Sequence, residues 1–134
     1  NIFLNKKILI YGLGKSGMST FKFLKNKSDI FLYDDYNLSI KDLDIKKNLI
    51  NLKNILKLIF LNILSHGIDI NNCKLSNFLK KNYKKVYTDL DIFYSFYKNK
   101  CITITGTNGK STTCQLMYEV LSSQKFDVKL VGNI

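Results

Sequence analysis

Twice in this chain a short apolar or β-branched run breaks into glycines and then resumes at helical spacing. That repetition restricts the possible folds more than any other feature. The first instance is Lys7-Ile8-Leu9-Ile10-Tyr11 followed by Gly12-Leu13-Gly14-Lys15-Ser16-Gly17. The second is Lys100-Cys101-Ile102-Thr103-Ile104 followed by Thr105-Gly106-Thr107-Asn108-Gly109-Lys110-Ser111-Thr112-Thr113. Strand, glycine turn and helix in that order open a parallel α/β unit. After the first turn the spacing predicts a helix over residues 15–26, with Met18, Phe21 and Leu24 inward and Lys22, Lys25 and Lys27 toward water. After the second, Leu116, Val120 and Leu121, with Met117 beside them, predict a helix running through Ser123.

Between the two motifs, short strands and helices are expected to alternate. A strand over residues 30–33 ends on Asp34-Asp35, and residues 39–57 hold a helix without evident chemistry. Residues 58–64 read as a strand emptying into Ser65-His66-Gly67. A helix over 73–82, a strand over 85–87 and a helix or bridging segment over 89–97 complete the series. The fold class predicted is α/β: a Rossmann-like parallel-sheet domain over residues 1–97, then the truncated start of a P-loop ATPase domain over residues 98–134. No Pro or Gly marks the junction, so the restart of the motif locates it. The chain opens on Asn1 and stops at Ile134 after a predicted strand, and it is expected to be a piece of a longer protein.

Apolar residues make up 46% of the 134 and suffice for a core, but no apolar run is long enough to cross a bilayer. The nearest candidate, residues 55–64, is interrupted by Lys57 and Asn62. A signal peptide is not evident, since the apolar stretch over residues 8–13 is short and leads straight into glycines. A cytoplasmic protein, monomeric and without a membrane partner, is expected. The net charge of +11 raises nucleic-acid binding, yet all 21 basic residues are lysine, spread along the whole chain. Dispersion of that kind, with no Arg, Pro or Trp, reflects AT-rich coding more than a nucleic-acid footprint, and no nucleic-acid partner is expected. Cys73, Cys101 and Cys114 lack metal-ligand spacing and are expected to be reduced, partly buried thiols. His66, the sole histidine, has no local carboxylate or serine partner and reads as an incidental loop residue.

The second glycine turn carries the clearest chemistry. Gly106 and Gly109 allow a tight turn that brings backbone N–H groups to phosphate oxygens, and the following helix aims its free N–H groups at the same point. A helix terminus contributes only about 0.3–1 kcal/mol at an exposed site, so a cation must add to it. Lys110 is the expected catalytic residue, reaching the outer phosphates, and the hydroxyl of Ser111 or Thr112 is the expected Mg2+ ligand. The ATP-binding set is therefore Gly106, Thr107, Asn108, Gly109, Lys110, Ser111, Thr112 and Thr113. Its spacing is compact: the first glycine of the common Walker pattern would fall at Ile104 and comes at Gly106 instead.

The first turn, G-x-G-x-x-G, is less specific. Followed by an acid at the end of the second strand, it reads equally as an NAD site of a regulatory or oxidoreductase domain or as a cradle for another phosphate group. The same turn could simply pack a helix closely onto a strand.

Taken together the motifs resemble the Mur ligases of peptidoglycan synthesis, and within them the branch that adds D-glutamate. The resemblance rests on Gly12 to Ser19, the strand-end Asp34, Ser65-His66-Gly67-Ile68, Thr88-Asp89-Leu90-Asp91-Ile92-Phe93, the compact T-G-T-N-G-K-S-T-T loop, and Gly132-Asn133-Ile134. It implies that the first domain binds the UDP part of UDP-N-acetylmuramoyl-L-alanine. Gly14, Lys15 and Ser16 would then meet the diphosphate, Asp34 and Asp35 would lie near the uracil with Gly67, and Asn133 would lie on the substrate side of the cleft. It also implies ATP-dependent, ADP-forming amide ligation to D-glutamate through an acyl phosphate, with this piece alone inactive. Two positions depart from the family pattern. His66 stands where proline is usual, and Asp35 where threonine is common.

Overall fold

Ile8, Leu9, Ile10 and Tyr11 are all fully buried, because the strand they form is covered on both faces. In the computed structural model, which describes residues 1–36, 43–57 and 60–132, that strand is β1 (Lys7–Tyr11). It pairs in parallel with β2 (Asp29–Tyr33) on one side and β3 (Leu61–Leu64) on the other, and β4 (Val86–Thr88) extends the sheet beyond β3. The order is β2-β1-β3-β4, all parallel. Alternate residues of each strand face opposite sides. Ile8, Ile10, Ile30, Leu32 and Ile63 thus join one core with Phe21, Leu24 and Ile92, while Leu9, Tyr11, Tyr33 and Leu64 join a second with Ile55, Leu75 and Leu79. This double burial explains why the strands read as continuous apolar runs and not as alternating ones.

The helices supply those partners. α1 (Lys15–Leu24) buries Phe21 and Leu24 as its spacing predicted. Where a single helix over residues 39–57 was expected, two short ones stand, α2 (Leu43–Asn48) and α3 (Leu52–Ile55). The break has a cause: Leu49 bridges Leu32 in parallel, and the Asn51 side chain caps α3 by accepting from the Asn54 N–H at 3.0 Å. α4 (Ser76–Lys81) is shorter than the predicted 73–82. A 3-10 turn, Tyr83–Lys85, precedes β4, which lies one residue later than expected. α5 (Asp89–Phe96) begins with a reciprocal cap, the Thr88 hydroxyl accepting from the Asp91 N–H and the Asp91 carboxylate accepting from the Thr88 N–H at 2.7 Å. Residues 37–42, which include the start of the predicted 39–57 helix, and residues 58–59, the start of the predicted 58–64 strand, lie outside the described residues.

The residues form two compact units, Asn1–Lys98, described above, and Asn99–Ile134. Within the second, α6 (Lys110–Ser123) forms as predicted, but residues 101–105 are not a strand. A strand is made by its ladder, and no strand among the described residues pairs with this segment. The apolar face of α6 stays open, with Leu116 57% and Val120 51% exposed. The cysteines are free thiols, half-buried at Cys73 and Cys114 as expected but exposed at Cys101. Among the described residues no helix is long and apolar enough to cross a membrane.

Candidate nucleotide sites

The strand order changes direction at β1, which has β2 on one side and β3 on the other. Such a reversal opens a crevice beyond the carboxyl ends of β1 and β3. The first glycine turn lies there. Gly12 has φ +93°, a left-handed conformation that glycine adopts without steric cost. Gly17 serves a different purpose: a Cβ on it would sit 1.9 Å from the Gly12 carbonyl oxygen. The third glycine therefore seats α1 directly on the turn, while Gly14 has room around it.

The donors of this turn are divided among identifiable partners. The Leu13 N–H donates to Asp34 Oδ2 at 2.7 Å, the Gly17 N–H to the buried Ser65 Oγ at 3.2 Å, and the Ser16 hydroxyl to Asp89 Oδ2 at 2.6 Å. No side chain caps α1 at Gly14, and its first turn carries no acid but opens on Lys15. A lysine at the positive end of a helix is locally unfavourable unless an anion joins it. α6 repeats the pattern, uncapped at Gly109 and opening on Lys110. α5, in contrast, is capped by its own side chains.

Asp34 and Asp35 part company. Asp34 stays at the crevice, its Oδ1 also accepting from the Tyr36 N–H at 2.9 Å. The Asp35 carboxylate turns inward: Oδ2 accepts from the Tyr11 hydroxyl at 2.6 Å and from the Lys74 N–H at 3.1 Å, and Oδ1 is buried with no partner among the described residues. The Lys74 ammonium returns to the Asp35 carbonyl at 2.8 Å. Asp35 thus braces β1 and β2 to the segment before α4, a role its position in the sequence did not reveal. Burial, then the hydrogen bond to Asp35 and the nearby Cys73, push the Tyr11 hydroxyl far above its ordinary titration range. Tyr33 is pushed up as well, by burial first and by the Asp35 charge second. Beside these groups lies an open cleft of about 590 Å³, whose lining includes Leu13, Tyr33, Asp34, Asp35, Tyr36 and Lys74. Gly67 has φ +99° and open space at its Cβ position, and His66 beside it is exposed.

The second turn is built around Gly106 (φ +150°) and Gly109 (φ +76°). The Thr113 N–H closes the first helical bond on the Gly109 carbonyl at 2.9 Å, and the Thr113 hydroxyl donates to the same oxygen. Among the described residues no such bond involves the hydroxyls of Ser111 and Thr112. The Lys110 ammonium arches over the loop to the carbonyls of Gly106 and Thr107, 3.1 Å from the latter. Thr107 and Asn108 form the exposed tip. Asn133, expected on the substrate side of a cleft, lies outside the described residues. Among the described residues no group of three or more His, Cys, Asp or Glu side chains could hold a metal.

Comparison with known proteins adds matches that span this chain. No family model matches the chain. It is 36% identical over 140 aligned positions to the UDP-N-acetylmuramoylalanine--D-glutamate ligase of Rickettsia prowazekii (strain Madrid E), covering 100% of this chain and 31% of that protein. The protein of the same name from Rickettsia conorii is 36% identical over 146 positions, covering 100% of the chain and 28% of the relative. That from Aquifex aeolicus is 35% identical over 129, covering 96% and 28%. The chain thus spans about three tenths of the length of the relatives it matches.

Proposed function

The chain belongs to the D-glutamate-adding Mur ligases over the stretch that it spans, and from that premise we propose that it is the nucleotide-holding part of an ATP-dependent ligase. The ligase joins D-glutamate to UDP-N-acetylmuramoyl-L-alanine in the cytoplasm, as a monomer. The observation that carries the reading is the pair of uncapped, lysine-led helix termini, in the order the family's motifs require. Residues 1–97 are the UDP-substrate domain and residues 98–134 the start of a P-loop ATP-binding domain.

In the first domain the free N–H groups of Lys15 and Ser16, behind Gly14, hold the diphosphate at the α1 terminus. The nucleoside lies in the cleft beside Asp34, with Gly67 approaching by backbone and Asn133 lying on the substrate side. Asp35, which also lines the cleft, lies near the uracil and braces the strands beneath it. In the second domain the N–H groups after Gly109 cradle ATP, and Lys110 exchanges its carbonyl contacts for β- and γ-phosphate oxygens. The hydroxyls of Ser111 and Thr112 suit Mg2+, which supplies charge neutralisation on the phosphates. Attack of the substrate carboxylate on the γ-phosphorus gives an acyl phosphate and ADP. The amine of D-glutamate then displaces phosphate to form the amide. Positioning and charge neutralisation are what this chain contributes to that sequence.

The test uses the complete reading frame, with phosphate release measured against UDP-N-acetylmuramoyl-L-alanine, ATP and D-glutamate. D-glutamate-dependent release is expected from the complete protein and none from the 134-residue chain. Release that ignores D-glutamate would refute the proposal. Titration of the chain with UDP and NADH separates this reading from a dinucleotide-binding one, since UDP alone is expected to bind.

A further inference from the structure

The Ser16 hydroxyl donates its one proton to Asp89 Oδ2 at 2.6 Å, and that bond sits at the mouth of the cradle assigned above to a diphosphate. Asp89 opens α5, and its Oδ1 accepts from the Leu90 N–H at 3.0 Å, so the carboxylate is held at both oxygens. A hydroxyl has a single donor. While it serves Asp89 it cannot serve a phosphoryl oxygen, and the same carboxylate places a negative charge beside the point where an anion must arrive.

We propose that Asp89 is a positioning residue that weakens and tunes anion binding at the α1 terminus. It keeps the Ser16 hydroxyl for itself, leaves the backbone N–H groups of Lys15 and Ser16 as the phosphate donors, and opposes ligands in proportion to their charge. The inference rests on the diphosphate reading of this turn. It gives α5 a part in the site although α5 supplies no ligand contact in that reading.

The experiment titrates UDP, UMP and uridine into the full chain and into Asp89→Asn, Asp89→Ala, Ser16→Ala and the Ser16→Ala/Asp89→Ala double variant, at low and high salt. Asp89→Asn removes the charge and leaves one side-chain oxygen that can still accept from Ser16, at the expense of the bond from the Leu90 N–H. It is expected to tighten UDP by about two- to fivefold at low salt, less for UMP, with uridine unmoved and the gain shrinking as salt rises. Asp89→Ala also frees the hydroxyl, so Ser16→Ala should cost more UDP affinity in that background than in the wild type. Circular dichroism checks that α5 persists in each variant. UDP affinity unchanged or weakened in folded Asp89→Asn, or an equal shift for uridine, overturns the role of Asp89 while the diphosphate site stands. Wild-type protein that binds uridine as well as UDP, or binds neither, overturns both.

Discussion

At the scale of single residues, the two acids at the end of β2 show how neighbours in sequence acquire different duties. Asp34 faces the crevice and ties down the Leu13 N–H, while Asp35 turns inward to Tyr11 and Lys74. The glycines divide in the same way. Gly17 is required by space and not by dihedral angle, because a Cβ would meet the Gly12 carbonyl at 1.9 Å. Gly17→Ala is expected to lift α1 off β1 and cost about 3 kcal/mol or more, whereas Gly14→Ala, with only Ser65 Oγ at 4.0 Å, should cost far less. Chemical denaturation of the two variants decides it, and equal losses would contradict the packing account. The glycine pattern was legible in the sequence, but which glycine answers to space was not, since that depends on where the backbone of the turn comes to lie.

Among the elements, helix termini carry the functional contrast. α1 and α6 begin uncapped on lysine, and α5 begins in a closed hydrogen-bonded cap. A terminus whose donors are satisfied internally has stability to lose and little anion affinity to give. Thr88→Ala is therefore expected to lower the stability of the first unit by about 1 kcal/mol. Its effect on UDP affinity should be small, because the cap lies on α5. A rise in UDP affinity beside the loss of stability would mean that the cap holds Asp89 in place, which calorimetry with and without UDP would reveal. Lengths and kinds of element were largely evident from periodicity for β1, α1, β2 and α6. The errors fell where a partner decides the outcome: Leu49 leaves the helical path to pair with Leu32, and residues 101–105 have β-branched composition but no partner strand among the described residues.

For the whole molecule, the two units differ in how their apolar residues are used. The first buries apolar side chains on both faces of a four-stranded sheet, and no residue of α6 in the second is buried. Cleavable lysines at 98, 100 and 110 flank the region where the second unit begins. Limited trypsin digestion is expected to cut there first and leave a persistent fragment of the first unit; early cuts within β1 to β3 would contradict the division. By itself the sequence determined the two strand-turn-helix motifs, the parallel α/β class and the likeness to a ligase family, because glycine geometry and hydrophobic period are local properties. Only the tertiary structure decided the order β2-β1-β3-β4, the inward turn of Asp35 and the meeting of Ser16 with Asp89. Those depend on which strands pair and which helix ends are brought side by side, and residues far apart in the chain have no local signal for that.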